Sequence, residues 1–389
     1  FEAVEGGEFA RSTHDRLKNE MPGSFPLIRS EIDYSEGELR QTNNEMDLAL
    51  HGDGFFALMT VNGDSVYTRD GQFYVNADGV MVNVMGLEFA IKALVVMLLG
   101  LILSATGIVL FAWDKEGKYI DPNNQAGIKG WKHLDGADLM LTGTRFRRPS
   151  AEDAKHITAF LDAGKPIIGI RTSTHAFTGG GSFGGKISYG SFGPLVMGDG
   201  WVSHHGGHKS QGARGMIEKA NAKHPILKGV KDVFGPSDVY GIRKVTPERD
   251  TILLRGAVTD TLDPKSKNIE GSKNDPMQAL AWLHPYESSA GKEGTTFCTT
   301  MGASVDLVNE DLRRLLVNAV YHLTGLDVPK KADVAYVDPF YPSFYGFIRD
   351  KAFWPGQDMQ AEDYGLGKTP AAPDPKGTPD WPFRPVKKK

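Results

Sequence analysis

A chain of 389 residues with 44 Lys and Arg against 48 Asp and Glu carries a formal charge of -4. It therefore has no global basic field to hold a polyphosphate backbone, and nucleic acid is excluded as a first reading of its partner. The single cysteine, Cys298, excludes an internal disulfide framework and a cysteine-cluster metal site, while leaving the compartment open. The length is that of two or three domains. No cleavable apolar leader follows Phe1, so either the true start lies elsewhere or the chain is not secreted by that route.

Residues 1–89 are rich in Gly and Asp, with short alternating apolar runs around Phe55, Val66 and Phe73, separated by Asn62-Gly63-Asp64, Arg69-Asp70-Gly71 and Asn76-Ala77-Asp78-Gly79. Asn-Gly and Asp-Gly between alternating strands favour tight hairpins, because type I′ turns need positive φ at both central residues. A small all-β segment is predicted there. From Ala93 to Trp113 there is no charge at all, and two readings stand side by side for residues 90–113. The run is long enough to cross a bilayer. Alternatively, Leu87 to Leu103 is a buried helix stopped at Gly107, and Ile108 to Ala112 is a parallel-sheet strand that completes a βαβ unit with Val80–Val84.

From residue 108 to about 330, strands and helices alternate. A short strand is predicted at Leu139–Leu141. The stretch from Ser150 to Gly164 reads as an amphipathic helix with Ser150 as N-cap, Asp153 in its first turn, Ile157, Phe160 and Leu161 on one face, and Gly164 at its end. Pro166–Ile170 is the next strand, and a second amphipathic helix begins at Asn309 and stops at Gly325. Such alternation predicts an α/β fold with a doubly wound, mostly parallel sheet. Residues 346–389, Pro-rich from Pro355 onward and ending in Lys387, Lys388 and Lys389, read as an extended tail pinned by Trp381 or Phe383.

Two resemblances follow from these motifs. The stretch from Tyr34 to Gly79, with Gly52-Asp53-Gly54-Phe55-Phe56, then Tyr67-Thr68-Arg69, Gly71, Phe73, Asp78 and Gly79 in place, resembles the bacterial flagellar rod and hook proteins up to about Phe89. That resemblance implies packing against neighbouring subunits, and self-association stays open. Residues 108–345 resemble the ThuA-like family, named for trehalose utilisation. The carriers are 117–147, 166–177, 198–215, 224–241, 273–282 and 299–325. The resemblance implies the fold of the class I glutamine amidotransferases and a carbohydrate or oxidised sugar derivative as ligand.

Against the amidotransferase pattern Arg171 stands where the cysteine nucleophile would be, and Cys298 lies in another, apolar-flanked stretch, so thiolate chemistry is not expected. What remains is a turn at the carboxyl end of a strand, where open α/β sheets bind ligands. Its side chains, Arg171 to His175, suit a polyol or a carboxylate. The cluster His204, His205, His208 and Lys209 holds three imidazoles within five residues. It reads as a divalent-metal site through His204 and His208, as hydrogen-bonding or acid/base histidines, or as structure.

The candidate catalytic set is His175, His204, His205 and Asp238. The candidate ligand-binding set is Arg145, Arg171, Thr172, Thr174, His208, Lys209, Tyr240, Asn274 and Asp275, with Asp238 and Tyr240 matching the family's acidic-then-Tyr pair. Asn274 and Asp275 read equally as turn chemistry, and Trp282 as a buried core residue or a stacking platform. The sequence fixes no cofactor, and a divalent metal is the one left open. If the domain is an enzyme, proton transfer by His and Asp suits these residues better than covalent catalysis. The alternative is a non-catalytic assembly module with a decayed pocket. A membrane partner enters only if 93–113 spans, and localisation stays open between the cytoplasm and the periplasm or cell envelope.

Overall fold

The structure is a computed structural model that describes residues 108–389, apart from 337, 365–367, 369–372, 382–384 and 386–389; before 108 it describes 42, 47, 56–59, 65–75, 81–83, 85, 88 and 89. The chain divides into two units, Phe1–Ile91 and Lys92–Lys389.

The first unit is a five-stranded antiparallel sheet of β1 (Phe56–Met59), β2 (Ser65–Thr68), β3 (Phe73–Val75), β4 (Met81–Asn83) and β5 (Glu88–Phe89), in the order β2-β1-β5-β4-β3. Pairing of Met59 with Ser65 and of Val75 with Met81 closes the two hairpins around the segments holding Asn62-Gly63 and Asp78-Gly79. The turns themselves lie outside the described residues. Phe56 and Leu58 alternate inward with the period of two that a pleated strand imposes, and Phe56 meets the Phe73 ring edge-on at 5.2 Å. The expected βαβ use of Val80–Val84 is overturned, because residues 81–83 pair antiparallel with β3 and β5 inside this small sheet. A five-residue loop closes a hairpin at far lower cost than a long crossover closes a parallel pair.

The second unit is built on β6 (Met140–Thr142), β7 (Ile167–Ile170), the small hairpin β8 (Ser182–Phe183) and β9 (Ile187–Ser188), β10 (Ala213–Ile217), β11 (Val233–Gly235), β12 (Thr251–Val258), β13 (Gln278–Glu287) and β14 (Glu293–Thr299). Its main helices are α1 (Ala151–Asp162) and α2 (Glu310–Leu323), with a short α3 (Phe353–Gln357) in the tail. Both main helices start as their sequences dictate. Ser150 accepts the Asp153 N–H at 3.1 Å, and Asn309 accepts the Leu312 N–H at 2.8 Å. Gly164 and Gly325 follow their ends at φ 68° and 75°, the left-handed conformation that glycine adopts without a Cβ clash.

The seven-stranded sheet runs β11-β10-β12-β13-β14-β7-β6. Side chains alternate across it: Ile167 and Cys298 join the core under α1, while Ile168 and Phe297 join the core under α2. The α/β architecture with helices on both faces is therefore present, but the expected mostly parallel sheet is corrected. Only β14-β7 and β7-β6 are parallel, and the other four pairings are antiparallel. The reason is local: residues 288–292 connect β13 to β14 too briefly for a crossover helix, so the pair folds back on itself.

Ile108–Ala112 is likewise not the sheet strand expected of it. Ala112 and Trp113 make single antiparallel bridges to Ile128 and Ile120. The rest of the apolar run, 93–107, lies outside the described residues, and among the described residues no helix is long and apolar enough to cross a membrane. Trp282 is fully buried, its indole N–H donating to the Met197 carbonyl at 2.9 Å, so it is core and not a platform.

Candidate functional site

The parallel strand β7 delivers the chain to a sharp turn at Arg171, whose φ of 44° is left-handed and costs a non-glycine residue about 1–2 kcal/mol. The surrounding structure imposes it. The Arg171 N–H donates to the Met301 carbonyl at 2.8 Å, the Ser173 hydroxyl donates to the Thr142 carbonyl at 2.6 Å, and the Thr172 hydroxyl donates to the Gly143 carbonyl at 2.9 Å. Gly302 lets the facing loop come close enough for this. A Cβ there would meet the Ile170 Cβ at 2.8 Å, and its φ of 115° is itself a glycine conformation.

The strained turn sends the Arg171 side chain inward. Its guanidinium donates to Asp238 Oδ1 at 3.1 Å, to the Asp238 carbonyl at 3.2 Å and to the Thr300 carbonyl at 3.4 Å. It lies between the rings of Tyr240 and Tyr345, at 4.6 and 4.9 Å from their centroids. Most of its donors are thus committed to protein acceptors.

Asp238 is the hub. Its carboxylate is fully buried, with Oδ1 accepting from Arg171 and from His208 Nδ1 at 3.1 Å, and Oδ2 from His204 Nδ1 at 2.5 Å. Burial alone would raise its pKa, but the Arg171 charge and the His204 contact outweigh burial and hold it below the usual carboxylate range. An ionised carboxylate can only accept, so both Nδ1 atoms carry protons and a neutral ring keeps Nε2 as its basic atom. The loop presenting the two histidines is tied down by the backbone. His205 N and Gly206 N donate to the Val239 carbonyl, and Gly241 N donates to the Ser203 carbonyl. The His204 and His208 ring centroids are 4.2 Å apart.

These groups open onto a cavity of about 760 Å³. Arg145, Arg171, Thr172, Lys209 and Tyr240 line it together with His204 and His208. His175 stands behind that wall, its ring 5.0 Å from Phe146, 5.6 Å from Trp201 and 6.4 Å from Tyr240. Burial, then the charges of Arg145 and Arg171, push its pKa down to about 4, so the imidazole is neutral at pH 7. Thr174 is buried, its hydroxyl 3.2 Å from His175 Nδ1.

The remaining candidates sit elsewhere. His205 Nε2 contacts the Lys273 carbonyl at 2.7 Å. Asn274 staples two loops, donating to the Val258 and Ile269 carbonyls while accepting the Val258 N–H. Asp275 is exposed, apart from the cavity wall. Cys298 is fully buried, and burial raises its thiol, which keeps it protonated.

His204, His208 and Asp238 are also the one group among the described residues that could hold a metal ion, with ligand atoms within 4.8 Å of one another. Arg171 argues against it. Its fixed positive charge already pairs with the same carboxylate, and a divalent cation would have to share that carboxylate in a buried setting.

The far wall escapes the sequence reading. Tyr345, Phe347 and Arg349 with Pro373, Pro375 and Lys376 line the far side of the cavity, so the tail contributes to its wall. Trp381 is buried with Phe344, Val305 and Leu262. The signal was present in Tyr341-Pro342-Ser343-Phe344-Tyr345-Gly346-Phe347, whose aromatic density is at odds with a solvated tail.

Residues 49–98 match the family described as the flagellar hook protein FlgE/F/G D1 domain. The chain is 41% identical over 68 residues to the flagellar basal-body rod protein FlgG of Buchnera aphidicola subsp. Baizongia pistaciae, covering 16% of this chain and 26% of that protein. It is 36% identical over 56 residues to the flagellar hook protein FlgE of Escherichia coli (strain K12), covering 14% of each. The chain thus spans about a quarter or less of those two relatives. Among solved structures, a putative ThuA-like protein from Bacteroides uniformis aligns over 50% of this chain and 71% of its own, at 13% identity and a TM-score of 0.33. The cytoplasmic protein STM3548 from Salmonella typhimurium aligns over 54% of this chain and 79% of its own, at 11% identity and a TM-score of 0.29.

Proposed function

We propose that the second unit binds a small hydroxyl-bearing molecule of the carbohydrate class in the cavity beyond β7 and moves a proton on it, with His204 and His208 as the transferring groups. One observation carries this reading: a single buried carboxylate, Asp238, holds both imidazoles by Nδ1, at 2.5 and 3.1 Å, so that each ring keeps a basic Nε2 for a ligand.

His208 supports the base role, since burial outweighs the pull of Asp238 and keeps its pKa below the ordinary value, so it is neutral at pH 7. As Nε2 takes a proton from a ligand hydroxyl, or from a carbon next to a carbonyl, the new imidazolium is stabilised by the Asp238 carboxylate it already touches. Tyr240, packed 5.7 Å from the His204 ring, adds a hydroxyl that burial keeps protonated. Thr172 supplies a further hydroxyl at the wall. No nucleophile is activated in this set, so acid/base chemistry fits it better than covalent transfer.

The test is deuterium incorporation. Keto-sugars incubated with the full chain in heavy water should lose the NMR signal of protons adjacent to the carbonyl, and the His204→Gln/His208→Gln double variant should slow that loss by about 10²-fold or more. Ligand binding without any exchange would reduce the site to a binding module. Neither binding nor exchange would end the reading.

For the first unit we propose an assembly role in which its sheet packs against further copies of the chain or related subunits. Its match to the hook and rod D1 family supports that role. Sedimentation across a concentration series tests it, and a monomer at every concentration would refute self-association.

A further inference from the structure

The charge of the cavity wall is one-sided. Arg145, Arg171, Lys209, Arg349 and Lys376 line it, and among the described residues no Asp or Glu does, although the whole chain is formally -4. Arg171 is balanced by Asp238 behind the wall. Among the described residues the others have no such balance: Arg145, Lys209, Arg349 and Lys376 take part in no ion pair within 4.0 Å of a carboxylate.

Arg145 is also presented in a particular way. Its guanidinium carbon lies 4.5 Å over the Phe146 ring and 4.1 Å over the Phe347 ring. A guanidinium carried on aromatic rings rather than on a carboxylate has N–H donors to offer the two oxygens of a carboxylate or phosphate. The charge of Arg349 bears on the same guanidinium, adding to the larger effect of burial in lowering its pKa. Arg349 itself is exposed, and a second positive charge acting on a half-buried guanidinium favours an anion at that place.

Resting on the carbohydrate-class reading of the same cavity, we infer that the ligand is an anion, a sugar bearing a carboxylate or a phosphate group, and that Arg145 and Arg349 with Lys209 and Lys376 hold its charged end while its hydroxyls reach His204 and His208. Both charged groups offer two or more oxygens to a guanidinium edge, so the wall chemistry is shared and the assay distinguishes them.

The experiment is calorimetric titration of the full chain with glucose, glucuronate, glucose 6-phosphate, benzoate and inorganic phosphate. Glucuronate or glucose 6-phosphate should bind at least about tenfold tighter than glucose, and whichever does identifies the charged group. The preference should shrink as salt rises from about 0.05 to about 0.5 M. In Arg145→Met, and separately in Arg349→Met at an exposed position, the ratio of anion to glucose affinity should fall towards one. Because Arg349 is exposed, its variant keeps the test valid if Arg145→Met fails to fold.

Equal affinity for glucose and the two charged sugars would overturn the inference and leave the carbohydrate reading standing. Benzoate and phosphate binding without any sugar would support the anion site and sink the carbohydrate reading. No binding by any of the five would overturn both.

Discussion

At the scale of single residues the site turns on one buried carboxylate serving three cationic or polar partners. Replacing Asp238 with Asn leaves the Arg171 charge buried without its counter-charge, and unfolding stability should drop by on the order of 3 kcal/mol. Urea denaturation measures it, and an unchanged midpoint would mean that Arg171 is stabilised elsewhere. His204→Gln removes one donor to that buried carboxylate from a ring about two-fifths exposed and should cost less, about 1 kcal/mol in the same urea titration.

His175 gives a pH signature. Its pKa is about 6.5 when unfolded and about 4 when folded, so between those values the unfolded chain binds more protons and stability rises with pH. The contribution is complete above pH 6.5 and is lost as pH falls through 4. Allowing for partial exposure it amounts to on the order of 2 kcal/mol. His224, set against His322 at 4.8 Å and also held down to about 4 by burial, adds to the same slope. Melting curves of wild type and His175→Asn between pH 4 and 7 should therefore differ in slope, and parallel curves would contradict the depressed pKa.

At the scale of elements, the turn after β7 depends on the loop that follows β14. Gly302→Ala adds a Cβ 2.8 Å from that of Ile170 at a φ of 115°. It should cost about 2 kcal/mol or more and loosen the Arg171 turn. Thermal melts together with anion titration would register both effects. The N-caps allow a cleaner test: Ser150→Ala removes the acceptor of the Asp153 N–H and should cost about 1 kcal/mol, while the ligand cavity, lined by other residues, keeps its affinity.

These elements were legible because their signals are local. Ser150, Asp153 and Gly164 lie within one helix length, and Asn62-Gly63 lies within one hairpin. The strand directions were not legible, since alternation of apolar runs says nothing about whether a neighbour arrives by hairpin or crossover.

For the whole molecule, the second unit keeps its two large cores beneath α1 and α2 without the final segment, whose own cluster is built around Phe344 and Trp381. A chain ending at Pro342 should therefore fold, with a lower melting temperature, and lose anion binding, because the wall carrying Phe347, Arg349 and Lys376 is gone. Circular dichroism and the same titrations decide it; retained affinity would show that the tail is not part of the site.

From the sequence alone the hairpins within 56–89, the two capped helices, the buried strand ending at Arg171, the buried cysteine and the cluster of histidines were readable. Each depends on residues close together in the chain, where propensity, capping and periodicity act. The tertiary structure alone decided the mixed sheet, the turning of His205 and Asn274 away from the cavity, the clamping of Arg171 by Asp238 and Thr300, and the contribution of the Pro-rich end to the cavity wall. The Arg171 clamp, for one, is set by contacts between residues 67 and 129 positions apart. No local pattern encodes which distant carboxylate a buried guanidinium will meet; packing and the cost of leaving a charge alone settle it.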